Sequence, residues 1–398
     1  MGPTSTAVAQ FALSLLLLHR LAPSSFGTFS FLLTMAQFST GVSNALVCAP
    51  LAVAAAGREG GSRAGPEIPA LFAANLVFSG FAFVAFWALG ALLGGSALSS
   101  ALFAGFGAVG LLRWFARANA YVEGAPLRTV ASDVLYSVTL GVAVLSSGFG
   151  GIAREEQAYA ALLVATVVAM APFGGAFVAR QWSALRGPNL ANYVTVWRQH
   201  ARWTLLGVVT TEATANAHVY LVTLLAGPAA YATLAASSLL IRPLSVIINA
   251  LTEFERPRLA RDLHAGEREA ARTTLASFRL SLVVAWLLSA ALALAVLRYA
   301  PTLLFSAQYS VAELSLGAAL WMAVVAVRAW RAPESTLLQA AGHFRPLAYA
   351  SVISCGVSVV GVVLALKLAA PVWSLAGVLL GEAVFMAWTL RQARLRCP

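Results

Sequence analysis

The chain has 398 residues, of which 60% are hydrophobic and only 10% charged, and its formal net charge is +11. A soluble domain carries about 25% charged residues, so this composition excludes an ordinary water-soluble protein and makes the bilayer the solvent for most of the chain. The positive balance does not point to nucleic acid, because the arginines sit in short connections between apolar runs, as orientation signals do.

In chain order, the apolar runs predict twelve membrane spans, at 3–18, 28–56, 69–93, 98–118, 130–147, 158–181, 201–225, 229–253, 275–298, 311–330, 347–368 and 372–390. The fold class expected is an all-α polytopic membrane protein. No cleavable signal peptide is expected, since the first run leads straight into the second. The connections are too short for a soluble head or a catalytic loop. No HExxH, GxSxG or GxxxxGK[ST] pattern occurs, so the chain does not read as an enzyme. Cys48, Cys355 and Cys397 are too far apart for a metal set, and neither a metal nor a cofactor is expected.

Connections after even-numbered spans, with the C-terminal tail, hold twenty-one arginines, from Arg58 and Arg63 through Arg113, Arg117, Arg328 and Arg331 to Arg396. The opposite side holds four cations: Arg20, Arg154, Arg298 and Lys367. This segregation predicts that both termini are cytoplasmic. Residues 182–200, with Trp182, Tyr193 and Trp197 among arginines, read as an amphipathic surface segment between an N-terminal bundle (1–181) and a C-terminal bundle (201–398). Residues 254–272 read as a solvated loop and helix start.

Charge inside the spans is the first functional signal. Glu212 lies 16 residues before Pro228 and Arg242 lies 14 after it. At about 1.5 Å per residue the two share a depth near mid-bilayer. A charge there costs roughly 2.5–3.5 kcal/mol and needs a partner, a wet cavity or a task. Arg242 shares a helical face with Ser238, Ser245, Asn249 and Glu253, and Glu212 shares one with Asn216, Tyr220 and Thr223. In span 2, Thr34, Gln37, Thr40 and Asn44 align in the same way. Such faces turn from lipid toward other helices or water. Interhelical hydrogen bonding and a static Glu212–Arg242 ion pair are the structural readings; substrate binding, or proton exchange at Glu212, are the functional ones. His218, about 240° around the helix from Glu212, reads as a packing residue. Asp133 reads as a helix-start acid, and Glu382 stands alone deep in span 12, with Arg113 or Asn75 as conceivable partners. Gly105 and Gly107 read as close helix packing.

The two halves repeat. Pro23-Ser24-Ser25-Phe26-Gly27-Thr28-Phe29 and Pro228-Ala229-Ala230-Tyr231-Ala232-Thr233-Leu234 fit P-x-x-[FY]-[GA]-T-[FL] at an offset of 205 residues, which also pairs Gln37 with Arg242 and Asn44 with Asn249. Pro50-Leu51-Ala52 resembles Pro257-Arg258-Leu259-Ala260 at the exits. Two six-span halves in the same orientation predict a parallel pseudo-two-fold repeat.

With Arg20-Leu21-Ala22-Pro23-Ser24-Ser25-Phe26-Gly27, the Gly227-Pro228-x-x-Tyr231 turn and Leu338-Gln339-Ala340-Ala341-Gly342-His343-Phe344-Arg345, the chain resembles the MOP (multidrug/oligosaccharidyl-lipid/polysaccharide) exporter superfamily, and within it the Wzx-like polysaccharide and O-antigen flippases. The resemblance implies two six-helix bundles facing each other in a V, with spans 1, 2, 7 and 8 lining a central cavity. It implies export of a lipid-linked oligosaccharide on undecaprenyl diphosphate by alternating access in a bacterial inner membrane, alongside glycan polymerases or glycosyltransferases. Arg242 is then the candidate for the anionic head. Arg20 would assist at the outer mouth, with Gln37, Thr40, Asn44, Asn216, Tyr220, Ser245 and Asn249 for sugar groups and Glu212 as counter-ion or ion-coupling group. The alternatives are a MATE-type multidrug or cation antiporter, whose cavity should be acidic and aromatic, and a non-transport membrane protein of glycan assembly.

Overall fold

The computed structural model describes residues 2–59, 67–147, 155–304 and 308–396, and all regular structure among them is helical. Arg63, Arg154 and Cys397 lie outside the described residues. The first helices are α1 (Gly2–Arg20), α2 (Pro23–Ser43), α3 (Ala49–Glu59), α4 (Glu67–Leu92), α5 (Ala97–Val122), α6 (Pro126–Ser147), α7 (Glu155–Val168), α8 (Gly174–Ala184) and α9 (Asn189–Val196). There follow α10 (Arg202–Ala226), α11 (Pro228–Ser238), α12 (Arg242–His264), α13 (Arg268–Tyr299), α14 (Pro301–Leu304), α15 (Val311–Ala340), α16 (Phe344–Leu368) and α17 (Ser374–Arg396). Ten helical stretches among the described residues are long and apolar enough to cross a membrane. The predicted first and seventh spans form α1 and α10, of 19 and 25 residues, outside those ten.

The chain divides into two compact units. The first comprises Met1–Leu21 and Leu32–Val209; the second comprises Ala22–Phe31 and Thr210–Pro398. In the first, α4 and α5 pack together, α5 packs on α7, and α1 on α6. Its core stacks Phe72 edge-to-face on Phe115 at 4.9 Å and Phe86 on Phe103 at 5.4 Å. Gly105 and Gly107 do serve packing: a Cβ on Gly107 would lie 2.6 Å from the Phe86 ring, and one on Gly105 3.2 Å from Leu163. In the second unit α16 and α17 pack most closely, where a Cβ on Gly361 would lie 2.8 Å from the Cα of Gly377.

Span 2 is interrupted by a π turn at Asn44–Cys48. An i→i+5 turn shifts backbone carbonyls out of the regular ladder. One of them, Leu46 O, accepts a hydrogen bond from Tyr193 Oη at 3.0 Å. Residues 182–200 are mostly exposed, as a surface segment with an amphipathic helix should be, and the structure adds where the apolar face docks. Helix α9 packs on α4, Val196 is buried in the first unit's core, and a second π turn at Trp197–Ala201 carries the helix on into α10. Burial pushes the Tyr193 phenol up to about 12. Residues 254–272 are mostly exposed and include a helix start, as expected, but only the turn at 265–267 is non-helical. Helix α12 runs to His264, Gly266 (φ +73°) makes the turn, and α13 begins at Arg268, with Leu259, Ala271, Leu275 and Leu337 forming a small core.

Just past α5, Glu123 accepts a hydrogen bond from Arg180 Nη1 at 2.9 Å, with Arg128 at 3.7 Å. Burial alone would raise its carboxyl. The hydrogen bonds from Asn119 and Arg180 and the charges of Arg180 and Arg128 outweigh burial and hold it below the ordinary 4.5. A depressed folded value means that this stabilisation is present above pH 4.5 and is lost as pH falls through the folded pKa. Thermal scans of Glu123→Gln should therefore show a shallower acid-side loss of stability than the parent. The difference should stay within about 1 kcal/mol, since both arginines are half exposed.

Candidate functional site

The predicted polar stripe of the second unit is assembled on α10 and α12. Glu212 Oε1 accepts from Asn216 Nδ2 at 2.8 Å and from Tyr220 Oη at 2.6 Å, so one helical face gathers a carboxylate, an amide and a phenol. Phe31 meets the Tyr220 ring edge-on at 6.4 Å. The expected Glu212–Arg242 ion pair is not formed among the described residues. The carboxylate is taken up by its own helix one and two turns on, where i+4 and i+8 side chains lie directly above it.

Span 8 is not a continuous helix. Helix α11 ends at Ser238, a 3-10 turn covers Leu239–Ile241, and α12 starts afresh at Arg242. Pro243 has no N–H to donate and its ring crowds the preceding turn, so the helix breaks there. The break places Arg242 at a helix start, with Ser245 and Asn249 one and two turns on along the same face. Arg242, Ser245, Glu212, Asn216 and Tyr220 are half-buried and Asn249 is exposed. None of them is packed into a core.

In the first unit a cavity of about 310 Å³ opens among α1, α2, α5, α6 and α7. Gln37 and Thr40 of span 2 and Gln10 of span 1, all cavity candidates, line it together with Thr166, Arg113, Trp114, Arg117 and Tyr136, and no described residue of spans 7 or 8 is in the lining. Asn44, exposed at the start of the π turn, and Arg20, exposed at the end of α1, are not among its lining residues. Asp133, expected to be a simple helix-start acid, is fully buried and clamped by Arg113 Nη2 at 2.6 Å and Arg117 Nη2 at 3.0 Å. Arg113 Nε also donates to Ser132 Oγ at 2.9 Å. The guanidinium of Arg113 lies over Tyr136 at 4.8 Å and that of Arg117 over Trp114 at 4.9 Å, while Gln10 Nε2 donates to Tyr136 Oη at 3.0 Å. Two cations against one anion leave this cavity with an excess positive charge, held in fixed orientation by the aromatic faces.

The second unit repeats the clamp. Glu382, 2% exposed, receives Arg328 Nε at 2.7 Å and Arg331 Nη2 at 3.1 Å, and Arg331 stacks on Phe385 at 3.9 Å. Neither Arg113 nor Asn75 is its partner. His218 is buried as expected and packs edge-to-face on Trp321 at 5.1 Å. Arg113, Arg117, Arg328 and Arg331 read from the sequence as orientation signals, whereas the structure puts all four inside helices. The signal was present. Arg113 and Arg117 fall inside the predicted span 98–118, and Arg328 inside 311–330.

No protein-family model matches the chain, and no curated protein does. Solved structures do. A multidrug resistance MATE family transporter of the MOP superfamily, in an inward-facing conformation, aligns with a TM-score of 0.70 at 15% identity, over 98% of this chain and 94% of that one. The lipid II flippase MurJ, in an inward closed conformation, aligns with a TM-score of 0.70 at 10% identity, over 99% and 86%. A MOP superfamily transporter from Pyrococcus furiosus, for which a reversed polarity of the binding pocket suggests a different function, aligns with a TM-score of 0.58 at 14% identity, over 99% and 92%. This chain therefore has the membrane fold shared by MOP-superfamily transporters, MATE exporters and the MurJ lipid flippase among them.

Proposed function

We propose that this protein is a transporter that carries a lipid-linked oligosaccharide, on a diphosphate carrier, from the cytoplasmic to the outer leaflet of a bacterial inner membrane by alternating access. The reading rests above all on the cavity of the first unit, where two arginines against one carboxylate, among amide and hydroxyl groups, suit an anionic part of the cargo's head other than its diphosphate. Translocation breaks no covalent bond. Its barrier is the transfer of an anionic, hydroxyl-rich head through hydrocarbon, and fixed polar groups lower it by standing in for water while the polyprenyl tail stays in lipid. Guanidinium groups suit phosphate and carboxylate because they stay charged and offer forked donors. Arg242, placed by the Pro243 break at the start of α12, is the group for the diphosphate; Asn216, Tyr220, Ser245 and Asn249 are sugar contacts. Cytoplasmic termini and glycan-assembling enzymes as partners belong to the same proposal. Arg242→Ala should abolish rescue of a flippase-null strain while membrane protein level holds, and full rescue by that variant would overturn the reading.

A MATE-type cation antiporter is the second reading. The observation in its favour is the Glu212–Asn216–Tyr220 group, the acidic site that an organic cation would need. The Pyrococcus furiosus transporter indicates that pocket polarity varies on this fold, and the cationic cavity here favours an anionic cargo. Efflux of a cationic dye from vesicles, lost in Glu212→Gln and kept in Arg242→Ala, would decide for the antiporter.

A further inference from the structure

The cavity of the first unit has a charge balance and a size that narrow its ligand further. Arg113 and Arg117 bring two positive charges, and buried Asp133 cancels one. The net charge of one suits a monoanion; a diphosphate, with two or more negative charges, would exceed it. A volume of about 310 Å³ is at the small end of ligand pockets, which run from about 300 to 1,000 Å³. Within it there is room for about one sugar ring. The rest of the lining is saccharide chemistry: Gln10, Gln37 and Thr40 offer neutral donors and acceptors, and Trp114 offers an aromatic face. Three guanidinium N–H groups are used within the clamp, one from Arg117 and two from Arg113, out of five on each side chain.

We infer that this cavity is a recognition subsite for a single acidic monosaccharide unit, one that carries a carboxylate, separate from the group that holds the diphosphate. The inference rests on the transporter reading but makes its own claim about the cargo, namely that the glycan contains a uronate-type sugar. Arg113 and Arg117 take the carboxylate, Gln10, Gln37 and Thr40 take ring hydroxyls, and Asp133 sets the charge that the site accepts.

The test is equilibrium binding of glucuronate, glucose and inorganic phosphate to the full-length protein in nanodiscs. Glucuronate should bind at least about tenfold more tightly than either of the others. Arg113→Gln leaves Arg117 and Asp133 balanced at zero net charge, and should weaken glucuronate binding by about tenfold or more. Adding Asp133→Asn to Arg113→Gln restores a net charge of one, and should recover much of the lost binding, which a misfolded variant could not do. Asp133→Asn alone should move preference toward phosphate. Arg328→Gln breaks the equivalent clamp of the second unit and should leave glucuronate binding unchanged. Equal binding of phosphate and glucuronate, or no loss in Arg113→Gln, would overturn the subsite. Translocation of a neutral lipid-linked glycan in proteoliposomes separates the two claims. If it proceeds while glucuronate fails to bind, only the subsite is wrong. If glucuronate binds through Arg113 but no lipid-linked glycan crosses, the subsite stands and the flippase reading falls.

Discussion

Glu382→Gln is expected to destabilise the second unit by roughly 3–5 kcal/mol, the cost of removing one partner from a buried ionic group. The carboxylate is 2% exposed and is the acceptor for both Arg328 and Arg331, whose side chains are 25% and 19% exposed. With Gln in its place, two guanidiniums share an interior with one neutral oxygen to receive them. Neither can leave easily, because Arg331 is stacked on Phe385 and both sit on α15, which packs along α17. Thermal unfolding in detergent should show a large drop for Glu382→Gln. The triple change of Glu382, Arg328 and Arg331 to apolar residues of similar volume should recover most of it, because the desolvation of all three charges is then relieved together. A wild-type melting curve for Glu382→Gln would show that water reaches the cluster and that the clamp contributes little.

Gly27→Val should disrupt the second unit more than any other change in the repeated motif. A Cβ at Gly27 would overlap the backbone carbonyl of Pro228, and a carbonyl cannot swing aside as a flexible side chain can. The starts of α2 and α11, both in the second unit, therefore touch through their backbones. Overpacking a tight site costs typically 1–3 kcal/mol and more where backbone must move. Gly27→Ala already introduces the clash, so both variants should lower the melting temperature, Val by more. The aligned Ala232 is also fully buried, and Ala232→Gly should cost no more than about 1 kcal/mol, from lost packing and added chain freedom. Equal effects at the two positions would mean that the contact is not as close as the geometry makes it.

The positions of the helices were legible from residues alone. The run 69–93 became α4 at Glu67–Leu92, 347–368 became α16 at Phe344–Leu368, and the proline-led starts at Pro23 and Pro228 were marked by the repeated motif. Hydrophobic length is a local property, and the bilayer makes it decisive. The polar faces were legible for the same reason, since a face follows from spacing within one helix. Glu212, Asn216 and Tyr220 do share one, and Gln37 and Thr40 do line a cavity.

Partners across helices were not legible. Asp133 and Glu382 looked solitary because their arginines are 16 to 20 and 51 to 54 residues away in sequence, and only the packing of α5 with α6 and of α15 with α17 brings them together. Arg113 and Arg117 looked like loop charges because a helix end and a buried clamp have the same sequence signature, a basic residue at the edge of an apolar run. The π turn at Asn44–Cys48 was hidden too, since its freed Leu46 carbonyl is satisfied by Tyr193, 147 residues away. By itself the sequence determined that the chain is a polytopic helical membrane protein, and which residues share a helical face, because those depend on spacing along one strand of chain. Only the tertiary structure decided that the charges close on one another as arginine clamps, and that one clamp keeps a cavity beside it, because a buried charge is governed by its neighbours in space.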